Sequence, residues 1–195
     1  MLLRKRLLVL GQQRPVIKDT FTRADDATTL GSAETGQVWA VNSGTWGISS
    51  NKGQLVTGQA ARYDFAYINS GKTDFVADLT LSTVEDEEGI CVAYVDDTHC
   101  MWTAYSGANL WLARKSGGAA SGVASAAVTK ANGDVLRVIK VGTSIKIYVN
   151  GVLKISYTLT EAENIAFGSA TKQGIYALNA TTGRFDNWLL QGGLP

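Results

Sequence analysis

The chain has 195 residues, 45% of them hydrophobic and 18% charged, with a formal net charge of +1. That length suits one domain with a real core, and the composition excludes a disordered chain. So small a net charge gives no means of attracting nucleic acid by bulk charge, and no apolar run is long enough for a membrane-spanning helix. Glycine is abundant (21) and proline scarce (2), a mix that suits tight turns between strands.

Residues 1–18 differ from the rest. They carry five basic residues (Arg4, Lys5, Arg6, Arg14 and Lys18), no acidic one, and six aliphatics around Arg4-Lys5-Arg6. They read as an arm outside the main domain, 19–195, whose Leu7, Leu8, Val9 and Leu10 need a surface to cover. An edge strand or a tail are the alternatives. Leu7 to Leu10 is too short for a signal-peptide core, and Gln12-Gln13-Arg14-Pro15 follows instead of a small-residue cleavage site. Export by another route, such as inside a virus particle, is the expectation.

From Asp19 onward the text is strand and turn. Apolar residues recur at every second position, Phe75, Ala77, Leu79 and Leu81, which predicts a strand with one buried face. Gly89 to Val95 and Cys100 to Tyr105 flank the turn at Asp96 and predict a hairpin. The cysteines Cys91 and Cys100 sit on its two arms, either bridged or reduced and buried. A strand over Asn109 to Lys115 follows, with Leu110 and Leu112 on one face and Trp111 and Ala113 on the other. Ser116 to Ala127 is nearly all Gly, Ala and Ser, a long loop or weak edge strand. Asn150-Gly151 between two alternating runs specifies a type I′ hairpin. Thr160 to Ile165 is the one candidate helical turn. About a dozen short strands imply a two-sheet sandwich.

The ends carry matching motifs. Asp19-Thr20-Phe21-Thr22-Arg23-Ala24-Asp25 comes first, then Trp39 and Ser43-Gly44-Thr45-Trp46-Gly47-Ile48, and Arg184-Phe185-Asp186-Asn187-Trp188 comes last. This pattern resembles the concanavalin A-like (laminin-G-like) jelly rolls of bacterial surface proteins, polysaccharide-acting enzymes and phage virion proteins. The resemblance spans roughly Asp19 to Gln191. It implies an all-β, two-sheet antiparallel jelly-roll sandwich in which first and last strands pair and Trp39, Trp46 and Trp188 lie in the core.

Catalytic chemistry is not evident. A glycosidase needs two carboxylates across a groove. The Glu-x-Asp-x-x-Glu strand that marks glucanases of this architecture is missing, and Glu85-Asp86-Glu87-Glu88 reads as a solvated loop. The single histidine, His99, has no nucleophile set beside it, and one His with two Cys lacks zinc-ligand spacing.

Binding chemistry is better represented. Trp102, Tyr105 and Trp111 lie on the middle strands, which in such folds line the glycan-facing sheet, with Asn109 and Arg114 as polar partners. Packing under a loop or against a subunit is the alternative. The resemblance also suggests a structural calcium where first and last strands meet, with Asp19, Asp25 and Asp186 as ligands; no other cofactor is expected. The expected function is a non-enzymatic phage virion structural protein, a capsid decoration or tail-associated subunit, and an adhesin for host glycans. It would be made in the host cytoplasm, be docked through the arm on other virion proteins, and form a homo-oligomer. A carbohydrate-binding module of a bacterial polysaccharide-acting or surface protein is the other reading.

Overall fold

Period-two alternation of apolar and polar side chains turns most of this chain into strands, each with one face against a shared core. The computed structural model describes residues 16–59, 63–179 and 182–192. Leu7, Leu8, Val9 and Leu10 lie outside those residues. In chain order the strands are β1 (Val16–Asp19), β2 (Ala40–Val41), β3 (Thr45–Ser49), β4 (Lys52–Thr57) and β5 (Asp64–Asn69). Next come β6 (Phe75–Thr83), β7 (Glu88–Asp96), β8 (His99–Ser106), β9 (Asn109–Ser116) and β10 (Ala120–Ala127). Then follow β11 (Asp134–Val141), β12 (Ser144–Val149) and β13 (Val152–Thr158), the helix α1 (Glu161–Phe167), β14 (Lys172–Ala177) and β15 (Arg184–Gly192).

Two antiparallel sheets form. One runs β13-β12-β11-β6-β15-β4-β3, with β1 also on β15; the other runs β10-β9-β8-β7-β14-β5-β2. The first and last strands therefore pair, with Val16 opposite Gln191 and Asp19 opposite Trp188. Strand β1 begins at Val16, so residues 16–18 belong to the sandwich rather than to an arm. On β6, Phe75, Ala77, Leu79 and Leu81 are fully buried, as their alternation predicts. Asn150 (φ 50°) and Gly151 (φ 79°) form the tight turn between β12 and β13. The predicted helical turn is a short helix with a capping box. Thr160 Oγ1 accepts from Glu163 N, and Glu163 Oε2 accepts from Thr160 N.

The motif at the start of the domain closes around one buried carboxylate. Asp19 Oδ1 accepts from the Phe21 N–H at 2.8 Å and from Arg23 Nη1 at 3.0 Å. Its Oδ2 accepts from Arg23 Nη2 and from the Trp39 indole N–H, both at 2.7 Å. The turn this requires puts Phe21 at φ 55°, which brings its ring to 5.7 Å from Trp39. Trp39 in turn meets Trp188 edge-on at 5.9 Å. Trp39, Trp46 and Trp188 are all buried in the core between the sheets.

Cutting Asp19 back to alanine strands the Trp39 and Phe21 donors and leaves Arg23 without its partner. Asp19→Ala should lower unfolding free energy by about 3 kcal/mol in urea titration. A loss below about 1 kcal/mol would mean that the carboxylate is incidental to closure.

Candidate functional site

The outer face of the seven-stranded sheet is where chemistry gathers. Register places Trp111, Ala104, Gly89, Tyr176 and Phe65 side by side across β9, β8, β7, β14 and β5. The neighbouring row is Ala113, Trp102, Cys91, Gly174 and Tyr67. Large rings thus share these rows with small residues, Ala104 beside Trp111 and Cys91 beside Trp102. Trp102 lies 4.7 Å from Tyr63 and 5.3 Å from Tyr176, ring centre to ring centre. Tyr67 and Tyr94 stack at 4.4 Å, with Lys172 Nζ 5.3 Å from the Tyr67 ring centre. This second apolar layer is separate from the core between the sheets.

Trp111 is the exception in that it stays 38% exposed. The small-residue stretch predicted as loop or weak edge strand is the edge strand β10, and it explains that pose. A Cβ built on Gly122 would stand 2.6 Å from the Trp111 ring. Only glycine there leaves room for the indole against the neighbouring strand.

Beside Trp111 opens a hollow of about 300 Å³, lined among others by Tyr63, Glu87, Trp102, Ser106 and Ser121. A second hollow of about 240 Å³ shares Tyr63 and is lined also by Asn42, Phe65, Asp97, Thr98 and Lys115. The two hollows share the Tyr63 wall, and aromatic and polar side chains line both. Glu87 Oε2 accepts from the Tyr176 hydroxyl at 3.1 Å, and Asp97 Oδ1 accepts from the Tyr94 hydroxyl at 2.8 Å. Asn42 Nδ2 also donates to Asp97 Oδ1, at 3.0 Å. Burial raises the pKa of Tyr176 and, less strongly, of Tyr63; the Glu87 charge raises both further. Tyr94 is raised by burial and by its bond to Asp97.

Of the residues predicted to bind sugar, Trp102, Asn109 and Trp111 share this outer face. Tyr105 does not. It is fully buried on the inner face of β8, and its hydroxyl donates to Asp134 at 2.8 Å, because Tyr105 is one residue out of phase with Ala104. Arg114 is likewise out of phase with Trp111 and pairs with Glu163 of α1 at 2.7 Å. Tyr63, Glu87, Tyr176, Asn42, Asp97 and Lys115 were not foreseen. One signal was available: Tyr63, Phe65 and Tyr67 alternate along a single strand segment.

The three carboxylates expected around a calcium ion are each taken by protein donors. Asp19 is enclosed as described, Asp25 Oδ1 accepts from Ser50 N at 2.7 Å, and Asp186 pairs with Lys52 and accepts from Asn187 N. No group of three or more His, Cys, Asp or Glu side chains able to hold a metal ion occurs among the described residues. Cys91 and Cys100 are both free and buried, and burial pushes the Cys100 thiol up to about 12. His99 Nδ1 lies 3.2 Å from Asp96 in the exposed turn. No helix among the described residues is long and apolar enough to cross a membrane.

Glu85 to Glu88 is not wholly a solvated loop. Glu88 opens β7 fully buried, its Oε2 accepting from Glu85 N at 2.9 Å and its other oxygen without a hydrogen-bond partner. A Cβ on Gly183 would land 1.4 Å from that carboxyl group. Burial, with some repulsion from Glu85, raises the Glu88 pKa from 4.5 to about 8, against the Glu85 N–H bond and the charges of Arg184 and Lys130. The unfolded chain therefore ionises Glu88 first. Stability is highest below the unfolded pKa and falls as pH rises from about 4.5 to about 8, by at most about 1.4 kcal/mol per pH unit. Glu88→Gln should flatten this slope and raise the urea midpoint at pH 8. An unchanged slope would mean that Glu88 ionises freely in the folded protein.

No known protein family matches the chain by sequence, and no characterised protein matches it either. Solved structures do match. The carbohydrate-binding module CBM66 from Bacillus subtilis aligns with a TM-score of 0.54 at 18% identity, over 79% of this chain and 92% of that one. Domain 4 of AbnA, an extracellular GH43 arabinanase from Geobacillus stearothermophilus solved with arabinotriose, gives 0.58 at 14%, over 91% of both chains. The lumenal domain of VIP36 in its Ca²⁺/mannose-bound form gives 0.54 at 10%, over 83% and 86%. The fold is thus the concanavalin A-like, lectin-like jelly roll expected from the terminal motifs.

Proposed function

We propose that this chain is a non-enzymatic carbohydrate-binding protein whose outer aromatic groove holds a glycan. The observation that carries this reading is the pose of Trp111, 38% exposed and packed against Gly122, lining a hollow with Glu87, Ser106 and Ser121. Sugar rings stack their C–H faces on such an indole while their hydroxyls bond the polar rim. Trp102, buried between Tyr63 and Tyr176, keeps the floor rigid. The two acidic residues of the groove each accept a phenol hydroxyl and line different hollows, an arrangement for recognition rather than for an acid–nucleophile pair. The solved structures titled as a carbohydrate-binding module and as an arabinotriose complex support the reading through their shared fold.

The purified chain, screened on a glycan array with and without Ca²⁺, should give a specific hit. Trp111→Ala should weaken that hit by about tenfold or more in calorimetry while leaving the melting temperature unchanged. Binding unaffected by the substitution would move the site elsewhere. A blank array in both conditions would leave the fold as an architectural unit.

The setting belongs to the same proposal: the surface of a phage particle, as a capsid decoration or tail-associated subunit. Its support is the amino-acid sequence of the N-terminal segment, where Leu7 to Leu10 follow Arg4-Lys5-Arg6, a pattern suited to docking on another virion protein. Deleting residues 2–14 should give a folded domain that no longer joins the particle. If the shortened chain still assembles, docking runs through the sandwich. A carbohydrate-binding module of a bacterial surface protein would use the same groove.

A further inference from the structure

We infer that Glu87 selects the class of sugar: the hollow beside Trp111 takes a neutral or amino sugar and rejects a uronate. This deepens the glycan-binding proposal and rests on it. Four observations converge on this residue.

Glu87 lines the hollow together with Tyr63, Trp102 and Trp111. Its backbone adopts φ 61°, a left-handed conformation that glycine takes freely and a glutamate does not. That conformation is fixed on both sides, since Glu87 N donates to Tyr105 O at 2.6 Å and Glu87 O accepts from Leu178 N at 3.0 Å. The Tyr176 hydroxyl holds one carboxylate oxygen at 3.1 Å. A strained residue locked by its surroundings, with its acid group beside a cavity, is a common mark of a binding determinant.

The chemistry follows from what a carboxylate can do. It accepts and cannot donate. After the Tyr176 bond, the rest of its acceptor capacity is left for donors in the hollow. Sugar hydroxyls supply O–H donors, and an amino sugar supplies charged N–H donors. A uronate brings a second negative charge into a space walled by Tyr63, Trp102 and Trp111, where like charges repel strongly. Among the described residues, no lysine or arginine lines this hollow; Lys115 lines the second one.

The test uses tetrasaccharide probes in three chemical classes: neutral hexose, glucosamine, and uronic acid matched in linkage to the neutral probe. Affinities are read by calorimetry on the full chain. The neutral or amino probe should bind at least about tenfold more tightly than the matched uronate, the ratio expected for one charge-assisted hydrogen bond. Glu87→Gln should reduce that ratio to below about threefold, mainly by admitting the uronate. Tyr176→Phe leaves the carboxylate in place and should keep a preference against the uronate.

A purely structural role for Glu87 is separated by Glu87→Gly. Glycine takes the same backbone conformation, so the melting temperature should hold while discrimination disappears. If discrimination survives in both Glu87→Gln and Glu87→Gly, or if the wild-type chain prefers the uronate, the inference is overturned and glycan binding stands. If the wild-type chain binds no probe and no array glycan, the glycan reading falls and takes this inference with it.

Discussion

The sandwich is organised around the carboxylate of Asp19. A buried acid is costly unless every lone pair finds a donor, and here a backbone N–H, a guanidinium fork and an indole N–H supply them. These donors come from residues 21, 23 and 39, so satisfying one side chain fixes the course of the chain that follows β1. The same turn delivers Phe21 and Trp39 to the core, where Trp39 meets Trp188 on the last strand. Since Asp19 also lies opposite Trp188 in the β1–β15 ladder, one polar centre ties together segments about 170 residues apart in sequence.

The groove depends on a different rule. A sheet face carrying many rings stays flat enough to bind only if the rings have room to lie down. Ala104 and Cys91 are the small side chains beside Trp111 and Trp102 in the middle of the sheet, and Gly122 gives that room at the edge. Most of the rings thereby cover one another and make a stiff floor. Trp111 stays 38% exposed beside them. The hydroxyls of Tyr94 and Tyr176 then anchor Asp97 and Glu87, so that floor and polar rim are one assembly.

Much of the architecture was legible in the sequence because it follows from periodicity and local turn chemistry. The Phe75 to Leu81 alternation, the Asn150-Gly151 hairpin, the pairing of first and last strands, and the core tryptophans all came out as read. The site was only partly legible. Trp102 and Trp111 lie one strand apart with opposite chain direction, so their shared face needs the register as well as the alternation. Tyr105 and Arg114 were grouped with them by closeness along the chain, yet parity turns both inward, to Asp134 and Glu163. Asp19 looked like a metal ligand because an acid in a terminal motif has two explanations, and only the positions of Arg23 and Trp39 separate them. Glu88 was hidden for a similar reason. A run of four acids reads as solvated, and nothing local reveals that Gly183 folds over the last of them.

The pose of Trp111 has a practical side. The chain has five tryptophans, and Trp39, Trp46, Trp102 and Trp188 are all buried. A water-soluble collisional quencher such as iodide would therefore reach essentially one indole, the one at the mouth of the groove. The quenchable part of the intrinsic emission is a built-in optical gauge of whether that mouth is covered, with no label and no added residue.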